Sequence, residues 1–163
     1  MIETPDRGWR RVVPSPRPQE IVELHTIIDA VSHGHLIIAG GGGGIPVIRN
    51  ENGCLQGIEA VIDKDLTACK LAIAIGAKKF VILTDVPHVS IDFGAKSERP
   101  ISRIKVSTAR RLLAEGEFPP GSMGPKVEAS AMYAESTGRS ALITNVEHLE
   151  DALKNEAGTW IDP

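Results

Sequence analysis

Hydrophobic residues along this chain follow two spacings, one typical of helices and the other of buried strands. Between residues 20 and 32 the apolar positions recur every three or four residues, which predicts a helix that ends near Gly34. Similar spacing predicts four more helices, over residues 66–75, 107–115, 125–137 and 146–154. Gly76 follows the first of these four and is the expected C-terminal cap.

Short, uninterrupted apolar runs predict buried strands. These runs cover residues 36–39, 80–83 and 141–144. The sequence Asn-Glu-Asn-Gly at 50–53 lies between apolar segments at 47–48 and 55–62, and it predicts a β-hairpin. Residues 89–93 and 101–104 are predicted to form a short β excursion.

Apolar strands that alternate with helices are typical of an α/β fold. We expect a three-layer sandwich in which a largely parallel sheet is covered by helices on both faces. Prolines 14, 16 and 18 predict an irregular lead-in over residues 1–18, and residues 19–163 are expected to form one domain.

The composition fits one compact domain without specialisation for nucleic acid or membranes. The chain has 163 residues, of which 42% are apolar, and a net charge of −3. The charge gives no reason to expect a nucleic-acid or membrane partner, and no apolar run approaches the ~20 residues of a membrane span. The two cysteines are too few for a disulfide framework and are predicted to be reduced thiols, so we expect a cytoplasmic protein. The histidines show no metal-ligand spacing, so we predict no metal ligand.

Five consecutive glycines, 40–44, are the least ordinary feature of the sequence. Glycine loses more chain entropy on folding than any other residue, so an ordered run of glycines needs a compensating role. The run fits neither the dinucleotide fingerprint nor the P-loop, because the required third glycine and the Gly-Lys pair are missing. It follows a predicted strand, at the edge of the sheet where α/β proteins bind ligands.

Two lysines occupy predicted helix starts, where backbone N–H groups are unpaired and the helix dipole is positive. Pro125 suits a first helical position, which places Lys126 in the first turn, and Lys64 follows the predicted cap Asp63. A cation there is unfavourable unless an anion binds nearby, so both lysines predict a phosphate site. The alternative for each lysine is an ordinary solvated helix start. Thr84-Asp85 follows the predicted strand at 80–83, and the alternative there is a turn at a strand end. Four such loops occur in one chain, at residues 40–44, 63–65, 84–86 and 121–126, and their joint occurrence favours a site.

Five segments of the chain resemble carbamate kinase, a member of the amino acid kinase superfamily. They are Trp-Arg-Arg-Val-Val-Pro-Ser-Pro (9–16), Gly-Gly-Gly-Gly-Ile-Pro (41–46), Glu-Ala-Val-Ile-Asp-Lys-Asp (59–65), Leu-Thr-Asp-Val (83–86) and Pro-Gly-Ser-Met-Gly-Pro-Lys-Val-Glu (120–128). The resemblance implies reversible phosphoryl transfer between ATP and carbamate, giving ADP and carbamoyl phosphate with Mg²⁺, and a place in arginine metabolism.

The resemblance also implies roles for individual residues. Lys64 and Lys126 would neutralise the transferring phosphoryl group, while Asp65 holds the lysines and Asp63 lies beside them. The substrate would lie against Gly42, Gly43, Gly44 and Asp63, and the nucleotide against Thr84, Asp85, Val86, Gly121, Ser122, Met123, Gly124 and Lys126. These roles agree with the physics of phosphoryl transfer, which depends on positioning and positive charge.

The resemblance covers only the C-terminal half of a carbamate kinase. We therefore expect weak adenine-nucleotide binding, poor turnover or none, and either a homo-oligomer or association with a separate N-terminal half, because bared strand edges invite pairing. The alternatives are a non-catalytic adenine-nucleotide-binding module or inactive fragment, and a kinase for another small acceptor.

Overall fold

The computed structural model describes residues 1–4 and 8–163, in which strands and helices alternate. The strands are β1 (Ile2–Thr4), β2 (Gly8–Arg10), β3 (Val47–Arg49), β4 (Leu55–Gly57), β5 (Phe80–Leu83), β6 (Val89–Ile91), β7 (Arg99–Ile101), β8 (Arg103–Lys105), β9 (Ala141–Thr144) and β10 (Thr159–Asp162). The helices are α1 (Leu24–Ser32), α2 (Lys64–Ala74), α3 (Val106–Ala114), α4 (Met123–Thr137) and α5 (Leu149–Leu153). The predicted α/β class is confirmed.

A four-stranded sheet in the order β5–β9–β10–β8 forms the centre. β5 pairs with β9 and β10 with β8 in parallel, whereas β9 and β10 are antiparallel, so the sheet is largely parallel as expected. All four residues of β9 are buried, which means that both of its faces are covered. The parallel register pairs Leu83 with Thr144, so the carboxyl ends of β5 and β9 lie side by side.

Helix α4 is the main packing element against this sheet. It contacts β5, β9 and β10, and α2 and α3 pack against it. Tyr133 of α4 is fully buried and stacks on Phe80 of β5 with ring centroids 5.1 Å apart, while its hydroxyl donates to the carbonyl of Ala77 at 2.6 Å. Burial of an aromatic ring of this size stabilises the fold by roughly 2–3 kcal/mol.

The strand predicted at residues 36–39 is absent, which corrects the sequence prediction. Leu36 and Ile38 are 95% and 96% exposed, and the segment joins none of the sheets in the described part of the chain. An apolar run becomes a strand only when a neighbour satisfies its backbone groups. β5 lies at one edge of the central sheet, and it has no partner on its outer side among the described residues.

Several predicted boundaries also change. α1 begins at Leu24 rather than at residue 20, because its cap residue Glu23 makes no side-chain capping bond and periodicity defines a helix face better than a helix start. α4 begins at Met123, so Pro125 is the third helical residue instead of the first. The missing N–H of Pro125 costs nothing there, since the first four N–H groups of a helix have no internal partner.

Sequence periodicity missed three short elements that form only by pairing. β1 and β2 pair antiparallel within the lead-in that we expected to be irregular. β10 was not predicted, and the expected strand at 101–104 divides between β7 of a hairpin and β8 of the central sheet. The hairpin at 50–53 and strands β5 and β9 are confirmed. The C-cap of α2 is Ile75, and the predicted Gly76 follows it with a left-handed φ of 66° that ends the helix. No helix in the described part of the chain is long and apolar enough to span a membrane.

Candidate active site

Helix α2 places a lysine and an aspartate at its N-terminus. Asp63 is the N-cap, and its Oδ1 accepts hydrogen bonds from the backbone N–H groups of Asp65 (2.8 Å) and Leu66 (3.0 Å). This arrangement satisfies two N–H groups that would otherwise lack partners, and such a cap stabilises a helix by about 1 kcal/mol. The capping role expected for Asp63 is confirmed, and it leaves Lys64 and Asp65 in the first turn.

Helix α4 brings the second lysine to the same place. Lys126 is buried, with 11% of its side chain exposed, and its ammonium donates to Asp65 Oδ2 at 2.9 Å. Behind it, Gly124 is buried against the preceding loop; an added Cβ would lie 3.2 Å from the carbonyl oxygen of Pro119. Glycine at this position therefore lets the loop pack directly beneath the start of the helix.

Lys64, Asp65 and Lys126 thus form one cluster of two cations on one carboxylate. Lys64 is 55% exposed in its side chain and lies 3.3 Å from the same Asp65 Oδ2, which is itself almost fully buried. Partial burial acts to lower the pKa of Lys64, but the charge and the hydrogen bond of Asp65 outweigh it, so the pKa is raised above its ordinary value. The cluster has one more positive than negative charge, and Lys64 presents that charge toward solvent.

The glycine run approaches the backbone of this cluster at Gly43. Gly43 is buried with φ +129°, and an added Cβ would lie 1.9 Å from the carbonyl oxygen of Ile62, immediately before the cap of α2. Any side chain at this position would clash with fixed backbone. Gly42 and Gly44 are exposed, and an added Cβ at either would meet nothing within 4 Å. Packing against the backbone of the chain itself therefore requires glycine at position 43, whereas the space around Gly42 and Gly44 is open.

A cavity of about 300 Å³ runs between the glycine segment, α2 and β5. Gly40, Gly41, Lys64 and Thr67 are among the residues that line it. A larger cavity of about 480 Å³ lies along another face of α2, where Leu66 and Lys70 contribute to its wall, but none of the predicted site residues lines it. The smaller cavity is therefore the one associated with the candidate chemistry.

The predicted nucleotide residues lie at the carboxyl end of β5 and at the start of α4. The backbone N–H of Thr84 donates to the carbonyl of Thr144 at 2.8 Å, and Asp85 is exposed. Met123 is half-buried and packs against the hydrophobic core, which is also a structural role. Among residues 1–4 and 8–163, the side-chain hydrogen bonds and ion pairs of the cluster reach none of the following: Thr84, Asp85, Val86, Gly121, Ser122, Met123 and Gly124.

The loop after β9 was not among the site segments predicted from the sequence. Thr144 and Asn145 are buried at the carboxyl end of a strand parallel to β5, and Val146 is 67% exposed beside them. The Thr144 hydroxyl has no hydrogen-bond partner among the described residues. Ligands of α/β proteins bind beyond the carboxyl ends of the strands, and this rule had already identified the loop after β5. The signal available in the sequence was therefore Asn145, directly after an apolar strand.

Comparison with known proteins identifies the family of the chain. A model of the amino acid kinase family matches residues 2–145. The carbamate kinase of Thermoplasma volcanium is 48% identical over 156 residues, which is 96% of this chain and 51% of that protein. The carbamate kinase of Thermococcus kodakarensis is 47% identical over 161 residues, covering 99% of this chain and 51% of that protein.

Solved structures show the same relationship. A structure of carbamate kinase from Giardia lamblia bound to AMP-PNP matches with a TM-score of 0.90 and 42% identity, covering 99% of this chain and 51% of that one. The chain spans about half the length of the curated relatives it matches. By sequence and by fold, the chain belongs to the amino acid kinase family and is similar, over nearly its whole length, to half of a carbamate kinase.

Proposed function

We propose that this chain supplies the ATP-binding half of a carbamate kinase-type phosphotransferase, which interconverts ATP plus carbamate with ADP plus carbamoyl phosphate. The observation that carries the proposal is the cluster in which Lys64 and Lys126, from two helix N-termini, share the carboxylate of Asp65. Two cations and two positive helix ends directed at one place provide what a transferring phosphoryl group requires.

Each member of the cluster has a separate task in this proposal. Asp65 is buried and accepts from both lysines, so it holds their ammonium groups at fixed positions. Lys64, the more exposed lysine, contacts the transferring phosphoryl oxygens, and Lys126 balances the charge that shifts toward the leaving nucleotide. Because the protein dipoles and charges are already in place, little reorganisation is needed as the charge moves.

The glycine segment forms the acceptor side. Gly42 and Gly44 are exposed on either side of the anchored Gly43, and the space where a side chain would lie is open at both. Carbamate is small and charged, so backbone N–H groups can bind it at contact distance. Thr84, Asp85, Val86 and the loop at 121–124 would hold the nucleotide at the adjoining sheet edge.

Mg²⁺ enters the proposal with the nucleotide. In the described residues no three His, Cys, Asp or Glu side chains are grouped to hold a metal. Mg²⁺ in phosphoryl-transfer sites is bound largely by substrate phosphates and water, and when bound it neutralises phosphate charge. Exposed Asp85, at the proposed nucleotide edge, is a carboxylate that could hold such a bound ion from the protein side.

A complementary half of the fold is the proposed partner. Leu36 and Ile38 are almost fully exposed, and Leu83 on β5 is 45% exposed. The outer edge of β5, which no described strand covers, and this apolar segment offer a place for a further strand. Either a separate N-terminal half or a second copy of this chain would cover these residues.

A second candidate function is a non-catalytic adenine-nucleotide-binding module. The same exposure of Leu36 and Ile38 favours it, because the segment that leads into the proposed acceptor glycines is uncovered. The two functions differ in carbamoyl phosphate binding, which only the kinase half-site requires.

The decisive experiment is calorimetric titration of the chain with MgADP and, separately, with carbamoyl phosphate. Lys126→Ala should weaken MgADP binding at least about tenfold, which corresponds to about 1.4 kcal/mol. Lys154→Ala is the matched control, since it removes the same charge from an exposed helix end and should leave binding unchanged. Equal affinity of wild type and Lys126→Ala would contradict the proposed site, and ADP binding without carbamoyl phosphate binding would favour the module.

A further inference from the structure

The side chain of Thr67 makes a contact that the sequence did not predict. Thr67 lies on α2 one turn after Lys64, is 6% exposed, and donates its hydroxyl to the carbonyl oxygen of Gly43 at 2.9 Å. A buried threonine hydroxyl in a helix commonly bonds to the carbonyl four residues earlier. Here the carbonyl of Asp63 accepts the ordinary helical bond from the backbone N–H of Thr67, while the hydroxyl donates across to the glycine segment.

Two contacts therefore attach the glycine segment to the start of α2. Gly43 rests on the carbonyl of Ile62, just before the cap, and bonds to Thr67, just after the first turn. Asp63, Lys64 and Asp65 lie between these two attachment points. The Gly43 N–H is also fixed, since it donates to the carbonyl of Gly40 at 2.8 Å.

We propose that Thr67 is a positioning residue, whose hydroxyl holds the glycine segment so that the N–H groups of Gly42 and Gly44 are directed beside Lys64 toward the acceptor. The ligand assigned to these groups rests on the proposed function. A run of five glycines has many accessible conformations, so one fixed carbonyl in its middle removes much of that freedom before the ligand arrives.

The test compares Thr67→Val with Thr67→Ser. Valine keeps the shape of threonine and removes the hydroxyl, whereas serine keeps the hydroxyl. Thr137→Val is the matched control, because the Thr137 hydroxyl bonds within its own helix to the carbonyl of Tyr133. Two readouts apply to the intact chain: amide hydrogen exchange at Gly43 by NMR, and titration with carbamoyl phosphate and with MgADP.

We expect Thr67→Val to accelerate exchange at Gly43 and to weaken carbamoyl phosphate binding about fivefold to tenfold, as for loss of one hydrogen bond. Affinity for MgADP should be unchanged, and Thr67→Ser should restore both altered values. Unchanged exchange in Thr67→Val overturns the inference, and so does faster exchange with unchanged carbamoyl phosphate affinity. If the wild-type chain binds no carbamoyl phosphate, the proposed acceptor is wrong, while the exchange measurement still decides whether Thr67 holds the segment.

Discussion

The ammonium of Lys126 lies 2.9 Å from Asp65 Oδ2, although 61 positions separate the two residues along the chain. Both are buried, so neither charge is well solvated without the other. The pair joins the N-terminal ends of α2 and α4, the two helices that pack together beside β5. A single contact thus links the packing of the fold with the candidate chemistry.

Replacement of Lys126 by methionine should destabilise the chain by about 2 kcal/mol. Breaking a buried pair costs about 3–5 kcal/mol, but Lys64 still contacts Asp65 and reduces that penalty. Urea unfolding measures the change. The double variant Asp65→Asn/Lys126→Met should be less destabilised than the sum of the two single variants, and simple additivity would show that the pair does not interact.

The raised pKa of Lys64 predicts a stability change at high pH. Because its pKa is higher in the folded chain, Lys64 contributes stability that is fully present below 10.5 and is lost as the pH rises through the folded value. The urea midpoint of wild type should therefore fall more steeply above that pH than the midpoint of Lys64→Met. Lys154→Met, at an exposed site, serves as the control. Parallel curves for wild type and Lys64→Met would refute the assignment.

The glycines of the run should differ in their tolerance of a side chain. Gly43→Ala should destabilise the chain by about 2 kcal/mol or more, because the added Cβ meets the carbonyl of Ile62 and the backbone conformation disfavours alanine. Gly42→Ala should leave the unfolding free energy almost unchanged, since space around it is open. The same variant should weaken carbamoyl phosphate binding if the Gly42 N–H faces that ligand. Similar unfolding midpoints for both variants would disagree with the structure.

The two cysteines should react at different rates with a thiol reagent. Cys54 is exposed at the turn of the β3–β4 hairpin, whereas Cys69 is fully buried in α2 and burial raises its pKa to about 11. At neutral pH we expect one thiol per native chain to react rapidly, and both to react in denaturant. Cys54→Ser should abolish the rapid phase. A rapid phase that persists in this variant would mean that Cys69 is accessible.

The exposed apolar segment should drive association. Leu36→Asp/Ile38→Asp should reduce self-association at high protein concentration, because it places charges on side chains that a partner would bury. Sedimentation velocity over a concentration series measures the effect. Lys96→Asp, in an exposed loop, makes the same change in net charge without removing apolar area and is the control. A wild-type chain that stays monomeric throughout would exclude self-association through this surface.

The local elements of the fold were largely predictable from sequence. β5 and β9 match their predicted bounds because uninterrupted apolar runs are typical of covered strands, and Asp63 and Gly76 mark the ends of α2 through backbone chemistry that acts within a few residues. The motifs also indicated the family. Each of these signals is local, so the linear sequence contains it in full.

Tertiary structure decided what depends on contact between distant segments. The run at 36–39 has the composition of a strand but pairs with no other segment that the structure describes, whereas the short β10 exists because β8 and β9 satisfy its backbone groups. The sequence suggested that Gly42, Gly43 and Gly44 share one role, and the structure separates Gly43, which packs on Ile62, from its two open neighbours. Likewise, Lys126 and Lys64 were each ambiguous alone. Lys64 is the chain neighbour of Asp65, and only the packing of α2 against α4 brings Lys126 to the same carboxylate, because burial and charge pairing act through space rather than along the chain.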